Sequence, residues 1–167
     1  MLEELEIRPA VLDDYDEIIK LFDNQDKKFA VRYYKVFFDN RNCCPHDEVF
    51  VRVVEGKIVG VIGYCPDRLE TDDIYWLSWF YVHEDFRGHG YDLELLDFVI
   101  DILKNKLVRK LYVDTSSFTS YKKAMALYEK TGFAHEGTLK DYYEKDEHQI
   151  IFGKHLNDNA NSNNEGV

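Results

Sequence analysis

The chain has 167 residues, 45% hydrophobic and 15% aromatic, which suits one compact domain with its own core and excludes disorder for most of its length. Lys and Arg number 21 against 32 Asp and Glu, a formal charge of −11; this argues against nucleic acid as a partner and favours long-range attraction of cations such as amines. With no apolar run of about 18 residues, no signal-like N-terminus and only Cys43, Cys44 and Cys65 as cysteines, no membrane partner, reduced thiols and a cytoplasmic setting are expected.

Leu5 to Arg8 reads as a first strand, stopped by Pro9. Asp13 or Asp14 can cap the helix that follows, in which Tyr15, Ile18, Ile19 and Phe22 form one buried stripe. A second helix is expected over Phe29 to Phe38, with Phe29, Tyr33, Val36 and Phe37 on one side, then a loop over Asn40–Asp47. Within that loop, Cys43-Cys44-Pro45-His46 lacks a second ligand pair at a finger-like spacing, so no metal is expected.

Val49–Val54 and Ile58–Cys65 are rich in β-branched residues and joined across Glu55-Gly56-Lys57, a hairpin signal. Asp67–Asp73 is a charged loop. Ile74–Val82 (IYWLSWFYV) is apolar on both faces, as for a strand buried inside a sheet; Trp76 and Trp79 in it read as core. A helix from Tyr91 to Leu103 carries Leu93, Leu96, Ile100 and Leu103 on one stripe. Leu111–Val113 is a short strand, Tyr121–Lys130 a helix ended by Gly132, Phe133 the start of a return, and Gln149–Lys154 a last strand. The order βααβββαβαββ gives the α/β class. One domain over residues 1–156 is expected, with 157–167 a flexible polar tail.

The chemistry concentrates at the junction after the third long strand. Arg87, Gly88 and Gly90 stand between that strand and a helix start, where free amides and the helix dipole suit a phosphate or pyrophosphate. Three spaced glycines of a dinucleotide fingerprint and the Gly-Lys-Ser/Thr of a Walker loop are both missing.

The strings VHEDFRGHGYDLELL, LYVDTSS, AMALYEKTGF and DYYEKDEHQIIFGKHL, in that order and spacing, resemble the GNAT superfamily of acyl-coenzyme A dependent N-acyltransferases. Within it the chain looks most like the ribosomal-protein N-terminal type and related bacterial and archaeal N-acetyltransferases. The resemblance runs to about Leu156. It implies a single GNAT-like domain with a mixed, mostly antiparallel central sheet flanked by helices. Its fourth and fifth strands would splay around acetyl-CoA as co-substrate, with no metal.

The resemblance also implies roles. The backbone of Phe80, Tyr81 and Val82 would bond the pantetheine arm and polarise the acetyl carbonyl, and Arg87-Gly88-His89-Gly90-Tyr91-Asp92 matches the pyrophosphate loop. An amine acceptor would attack the thioester directly. Tyr128 matches the general acid for the leaving thiolate, a phenol of pKa about 10 facing a thiol of about 8.5. Asp114 matches the base by position, and Trp76 stands where other members carry a Glu. Read from the residues alone, Tyr128 also fits a core tyrosine, Asp114 a strand-end cap, and His89 a solvated loop residue. Asp141 and Tyr142 fit a solvated acidic loop or the acceptor side.

Two positions depart from the family pattern. Asp92 replaces the last Gly or Ala of the loop and brings a carboxylate towards two phosphates, where like charges about 4 Å apart cost a few kcal/mol. Tyr121 stands where many relatives have an Asn contacting coenzyme A. Three functions follow: acetyl transfer to a cationic amine (a small molecule, a peptide N-terminus or a lysine), transfer of another acyl group, or a degenerate relative serving as an interaction or regulatory module. A homodimer through a terminal strand is left open.

Overall fold

The computed structural model describes residues 6–39, 46–69 and 71–157. The Cys43-Cys44-Pro45 sequence, most of the Asn40–Asp47 loop and the tail from residue 158 lie outside the described residues. The elements in chain order are β1 (Glu6–Pro9), α1 (Tyr15–Leu21), α2 (Asn24–Asp39), β2 (Glu48–Val54), β3 (Lys57–Pro66), β4 (Ile74–Val82), α3 (Tyr91–Asn105), β5 (Lys110–Ser116), α4 (Lys122–Lys130), β6 (Ala134–Glu144) and β7 (Glu147–His155). This is the expected order. The strands form a seven-stranded mixed sheet in the order β1-β2-β3-β4-β5-β7-β6.

The chain divides into two units, Met1–Pro66 with Ser78–Ile102 and Asp67–Leu77 with Leu103–Val167. In the first, β1 and β3 pair antiparallel on either side of β2, with a register shift between Arg52 and Val53. The β2–β3 turn places Glu55 and Gly56 at φ 49° and 76°, the primed-turn geometry that matches strand twist. Ile18, Phe22, Tyr34, Phe37, Val49, Val51 and Val61 form the core. On the α3 side Leu95, Leu96, Val99, Ile100 and Leu103 are buried. A Cβ at Gly60 would come within 2.9 Å of Leu95 Cδ1, so β3 lies close against α3 and a larger residue there would require the Leu95 side chain to shift.

In the second unit β4 and β5 pair in parallel over Ile74↔Lys110, Tyr75↔Leu111 and Trp76↔Tyr112. The unit boundary follows one residue later, after Leu77, and the short pairing agrees with the expectation of splayed strands. Then β5 pairs with β7, and β7 with β6, both antiparallel.

Several expectations are corrected. The buried stripe of α2 is Ala30, Tyr34 and Phe37, while Phe29 and Val36 are 55% and 44% exposed; the buried face is offset by one residue, about 100°, from the one that Phe29, Tyr33 and Val36 mark. Leu93 is only half-buried, because Leu95 and Val99 widen the stripe of α3. Along β4 only Leu77 and Val82 are buried; the other side chains are half-exposed even though the strand is internal to the sheet order. Neither Asp13 nor Asp14 caps α1 through its side chain. Asp14 instead accepts two bonds from Arg8, at 2.7 and 2.9 Å, and one from the Val11 amide at 2.8 Å. These hold its carboxyl below the usual range, with the Arg8 hydrogen bonds the largest cause and the Val11 amide a further one.

Tyr34 is fully buried and its hydroxyl has no hydrogen-bond partner among the described residues. Burial pushes its phenol well above the ordinary range, with Tyr33 adding to the effect. Tyr34→Phe removes a desolvated, unpaired group without changing the ring packing, so stability rises by about 1 kcal/mol, read as a higher denaturant midpoint with an unchanged slope.

Candidate active site

The sequence-expected residues fall into two groups, one in each unit. The first group follows β4, whose Phe80 and Tyr81 are half-buried and whose Val82 is buried. The His83 amide still bonds Val59 O, at 2.9 Å. After a 3-10 turn over Glu84–Phe86, Arg87 folds back: its Nε donates to Val82 O at 3.0 Å, and its guanidinium stands 5.1 Å from the Tyr81 ring centre. The Tyr81 hydroxyl donates to Asp23 Oδ2 at 3.4 Å. Burial, followed by the charge of Asp23, raises that phenol. A cavity of about 230 Å³ lies here, lined in part by Phe22, Asp23, Tyr81, His83, Glu84 and Arg87.

Gly88 and Gly90 take φ of 81° and 85°, a left-handed geometry costly for other residues. A Cβ at either would meet nothing within 4 Å, so conformation, not crowding, calls for glycine there. Between them His89 is exposed; its Nδ1 lies 3.2 Å from both Phe86 O and Arg87 O, and its ring stacks on Tyr91 at 5.7 Å. The 15-residue helix α3 starts at Tyr91 and presents first-turn amides as any helix start does. Asp92 Oδ1 accepts the Leu93 amide at 3.0 Å, so one donor expected to face a pyrophosphate is already engaged.

The second group sits on β5 and α4. The end of α4 is built by the chain itself. Phe133 N donates to Tyr128 O at 2.9 Å and Gly132 N to Glu129 O at 3.1 Å, with Gly132 at φ 88°, the paired bonds of a Schellman cap. The cap folds Phe133 onto Tyr128, ring centres 5.7 Å apart, and Phe152 of β7 closes in at 5.8 Å. Tyr128 is therefore 5% exposed. Burial first, and the charge of Asp114 second, raise its phenol far above the ordinary value.

Asp114, half-buried on β5, accepts from Gln149 Nε2 at 2.8 Å and from the Tyr143 hydroxyl at 3.2 Å. Tyr143 is raised as well, by burial and then by the Asp114 charge. Gln149 and Tyr143 were not singled out from sequence. Only the β5–β7 register, which sets Gln149 opposite Ser116, brings the amide diagonal to Asp114. Tyr121 ends a 3-10 turn over Thr119–Tyr121 and stands at the N-cap of α4, one residue before the helix expected to include it. Asp141 and Tyr142, expected in a solvated acidic loop or on the acceptor side, lie in β6 of the β6–β7 hairpin. Asp141 braces the hairpin, its amide donating to His148 Nδ1 at 3.0 Å and its Oδ1 accepting the Asp146 amide at 2.9 Å. Tyr142 is 55% exposed. Trp76 stacks on Tyr112 and Trp79 packs edge-on against Phe22. Among the described residues no three His, Cys, Asp or Glu could hold a metal ion, and no helix is long and apolar enough to cross a membrane.

The strand order, the parallel β4–β5 pair and the glycine turn from β4 into α3 define the class, an α/β acyltransferase fold. The family model described as "Acetyltransferase (GNAT) family" matches residues 14–133, and the chain belongs to that family. No curated protein sequence matches it. Among solved structures it is similar to a GNAT-family protein from Desulfovibrio desulfuricans, with TM-score 0.80 and 21% identity over 92% of this chain and 99% of that one. It is also similar to a ribosomal-protein-alanine N-acetyltransferase from Brucella melitensis, with TM-score 0.74 and 23% identity over 90% and 99%. An aminoglycoside 6'-N-acetyltransferase complexed with coenzyme A gives 0.70 and 14% over 92% and 98%. At these identities the likeness is one of fold.

Of the 12 tyrosines, Tyr34, Tyr81, Tyr128 and Tyr143 are all raised. An ultraviolet titration through the ordinary phenol range of about 10 leaves these lagging behind the exposed ones. Asp114→Asn, by removing one cause of the shift, brings Tyr128 and Tyr143 to ionise at lower pH.

Proposed function

We propose that the protein transfers an acetyl group from acetyl-CoA to a primary amine, by direct attack of the amine on the thioester. The observation that carries this reading is the turn through Gly88 and Gly90 into the first turn of α3, in a chain of the acetyltransferase family. Backbone amides beside a helix start suit the pyrophosphate. The end of β4, at Phe80 to Val82, is the segment assigned to the pantetheine arm. The charge of −11 favours a cationic acceptor, drawn in over distance as its ammonium form.

The chemistry needs a base for the amine and an acid for the thiolate. The ammonium first gives up one proton to solvent, and Asp114 takes the second, which the neutral amine sheds as the C–N bond forms. Tyr128 gives its proton to sulfur as the C–S bond breaks. At rest the phenol is held neutral by burial and by the Asp114 charge, which keeps the proton in place but makes Tyr128 a weaker acid than its family role taken alone suggests. Protonation of Asp114 by the amine cancels the second of these causes. The base thereby acidifies the acid at the moment the thiolate needs a proton.

A second reading has its own observation. Asp92 engages the Leu93 amide and brings negative charge to the place a pyrophosphate would occupy, which favours a relative that keeps the fold without acyl turnover. Calorimetric titration with acetyl-CoA separates the two. Micromolar binding, with amine-dependent thiol release that falls about 10²-fold or more in Tyr128→Phe, upholds the transferase. Absence of binding, restored in Asp92→Gly, upholds the second reading. Turnover unchanged in Tyr128→Phe overturns the acid role.

A further inference from the structure

Arg52 sits within β2 with 1% of its surface exposed and is the bulkiest of the fully buried side chains described. A guanidinium cannot lose its charge, so burial is tolerated only where its donors and faces are met. Here Nη1 donates to Val53 O at 2.7 Å and Nε to Glu94 Oε2 at 3.0 Å, and the guanidinium carbon stands 4.8 Å from the Tyr91 ring centre. Tyr91 and Glu94 both belong to the first turn of α3. Tyr91 in turn carries the stacked His89, and the Glu94 amide bonds Gly90 O at 3.0 Å. The β2–β3 register shift falls directly after Arg52, the kind of irregularity that re-aims a side chain.

A Cβ at Gly88 or Gly90 would meet nothing within 4 Å, so the space beside each is open, and two left-handed glycines carry high intrinsic conformational freedom. The restraint comes from the far end of the turn. We propose that Arg52 is a positioning residue for the anion-binding turn: it anchors the first turn of α3 to β2, and through Tyr91 and His89 it orders Gly88–Gly90. By pairing with Glu94 it also neutralises one of the two acidic residues in that turn, leaving Asp92 as the opposing charge. This rests on the reading of the turn as the coenzyme A site.

The test uses Arg52→Met with Glu94→Gln, a double variant that removes the ion pair without leaving either charge unpaired, together with Arg52→Lys. Two readouts are followed. In the free protein, they are exchange of the Glu94 amide and the amide shifts of Gly88 and Gly90; with ligand, the affinity for coenzyme A. The double variant is expected to keep its unfolding midpoint within the range of the single variants, to exchange Glu94 faster, and to bind coenzyme A about tenfold more weakly. Arg52→Lys, which keeps charge but loses the planar fork, raises KM for acetyl-CoA with kcat unchanged. Glu94→Gln alone, at a partly exposed carboxylate, provides the same exchange readout if the double variant does not fold. Wild-type exchange, shifts and affinity in the folded variants overturn the proposal. If the wild-type protein binds no coenzyme A, the transferase reading fails, while the exchange and shift data still decide the role of Arg52.

Discussion

A backbone amide or carbonyl that leaves a hydrogen-bond ladder must find another partner, and in each unit the candidate residues stand where this happens. At the end of β4 the Val82 carbonyl is met by the Arg87 side chain. At the start of α3 one amide is met by the Asp92 carboxylate. At the end of α4 the carbonyls of Tyr128 and Glu129 are met by backbone, from Phe133 and Gly132. The difference matters chemically. A group satisfied by backbone is fixed by the fold, and this is where Tyr128 sits. A group satisfied by a side chain can exchange that partner for a ligand, and this is where a pyrophosphate would have to compete.

Charge follows a similar division of labour. Arg8 with Asp14 ties β1 to the entry of α1, Arg52 with Glu94 ties β2 to α3, and Lys110 with Glu136 ties β5 to β6. In a chain of net charge −11 cations are the scarcer partner, and three of them serve as struts between elements. The bonds that Asp114 accepts come from neutral groups, the Gln149 amide and the Tyr143 phenol, and its charge raises the phenols of Tyr128 and Tyr143. A carboxylate arranged this way influences more than it neutralises.

The fold was largely legible because its signals are local. The β-branched runs Val49–Val54 and Ile58–Cys65, the apolar run Ile74–Val82 and Gly132 after a helical stripe each report on neighbours a few residues away, and each marks an element of the expected kind. In α2 aromatic and apolar residues occupy adjacent faces, so Phe29, Tyr33 and Val36 mark as good a stripe by spacing as Ala30, Tyr34 and Phe37, and only packing selects the second. Of the site, the glycine turn and Tyr128 were legible through short strings. The surroundings that set their chemistry were not. Gln149 reaches Asp114 only through strand register, and Arg52, flanked in its strand by apolar residues, meets Glu94 across 42 positions of sequence.

The division of the chain has a consequence for how it folds. The first unit is complete only when Ser78–Ile102 has joined Met1–Pro66, and the second begins at Asp67–Leu77 and resumes at Leu103. Both are therefore discontinuous: a cut after Ile102 leaves every residue of the first unit on one fragment but takes Asp67–Leu77 from the second. During synthesis the apolar start of β4 emerges long before its β5 partner, since Ile74 must wait for Lys110. Closing such separations costs chain entropy before any pairing is gained. Until then the β5-facing edge of Ile74–Trp76 stays open, and an open strand edge is where a nascent chain risks pairing with its neighbours.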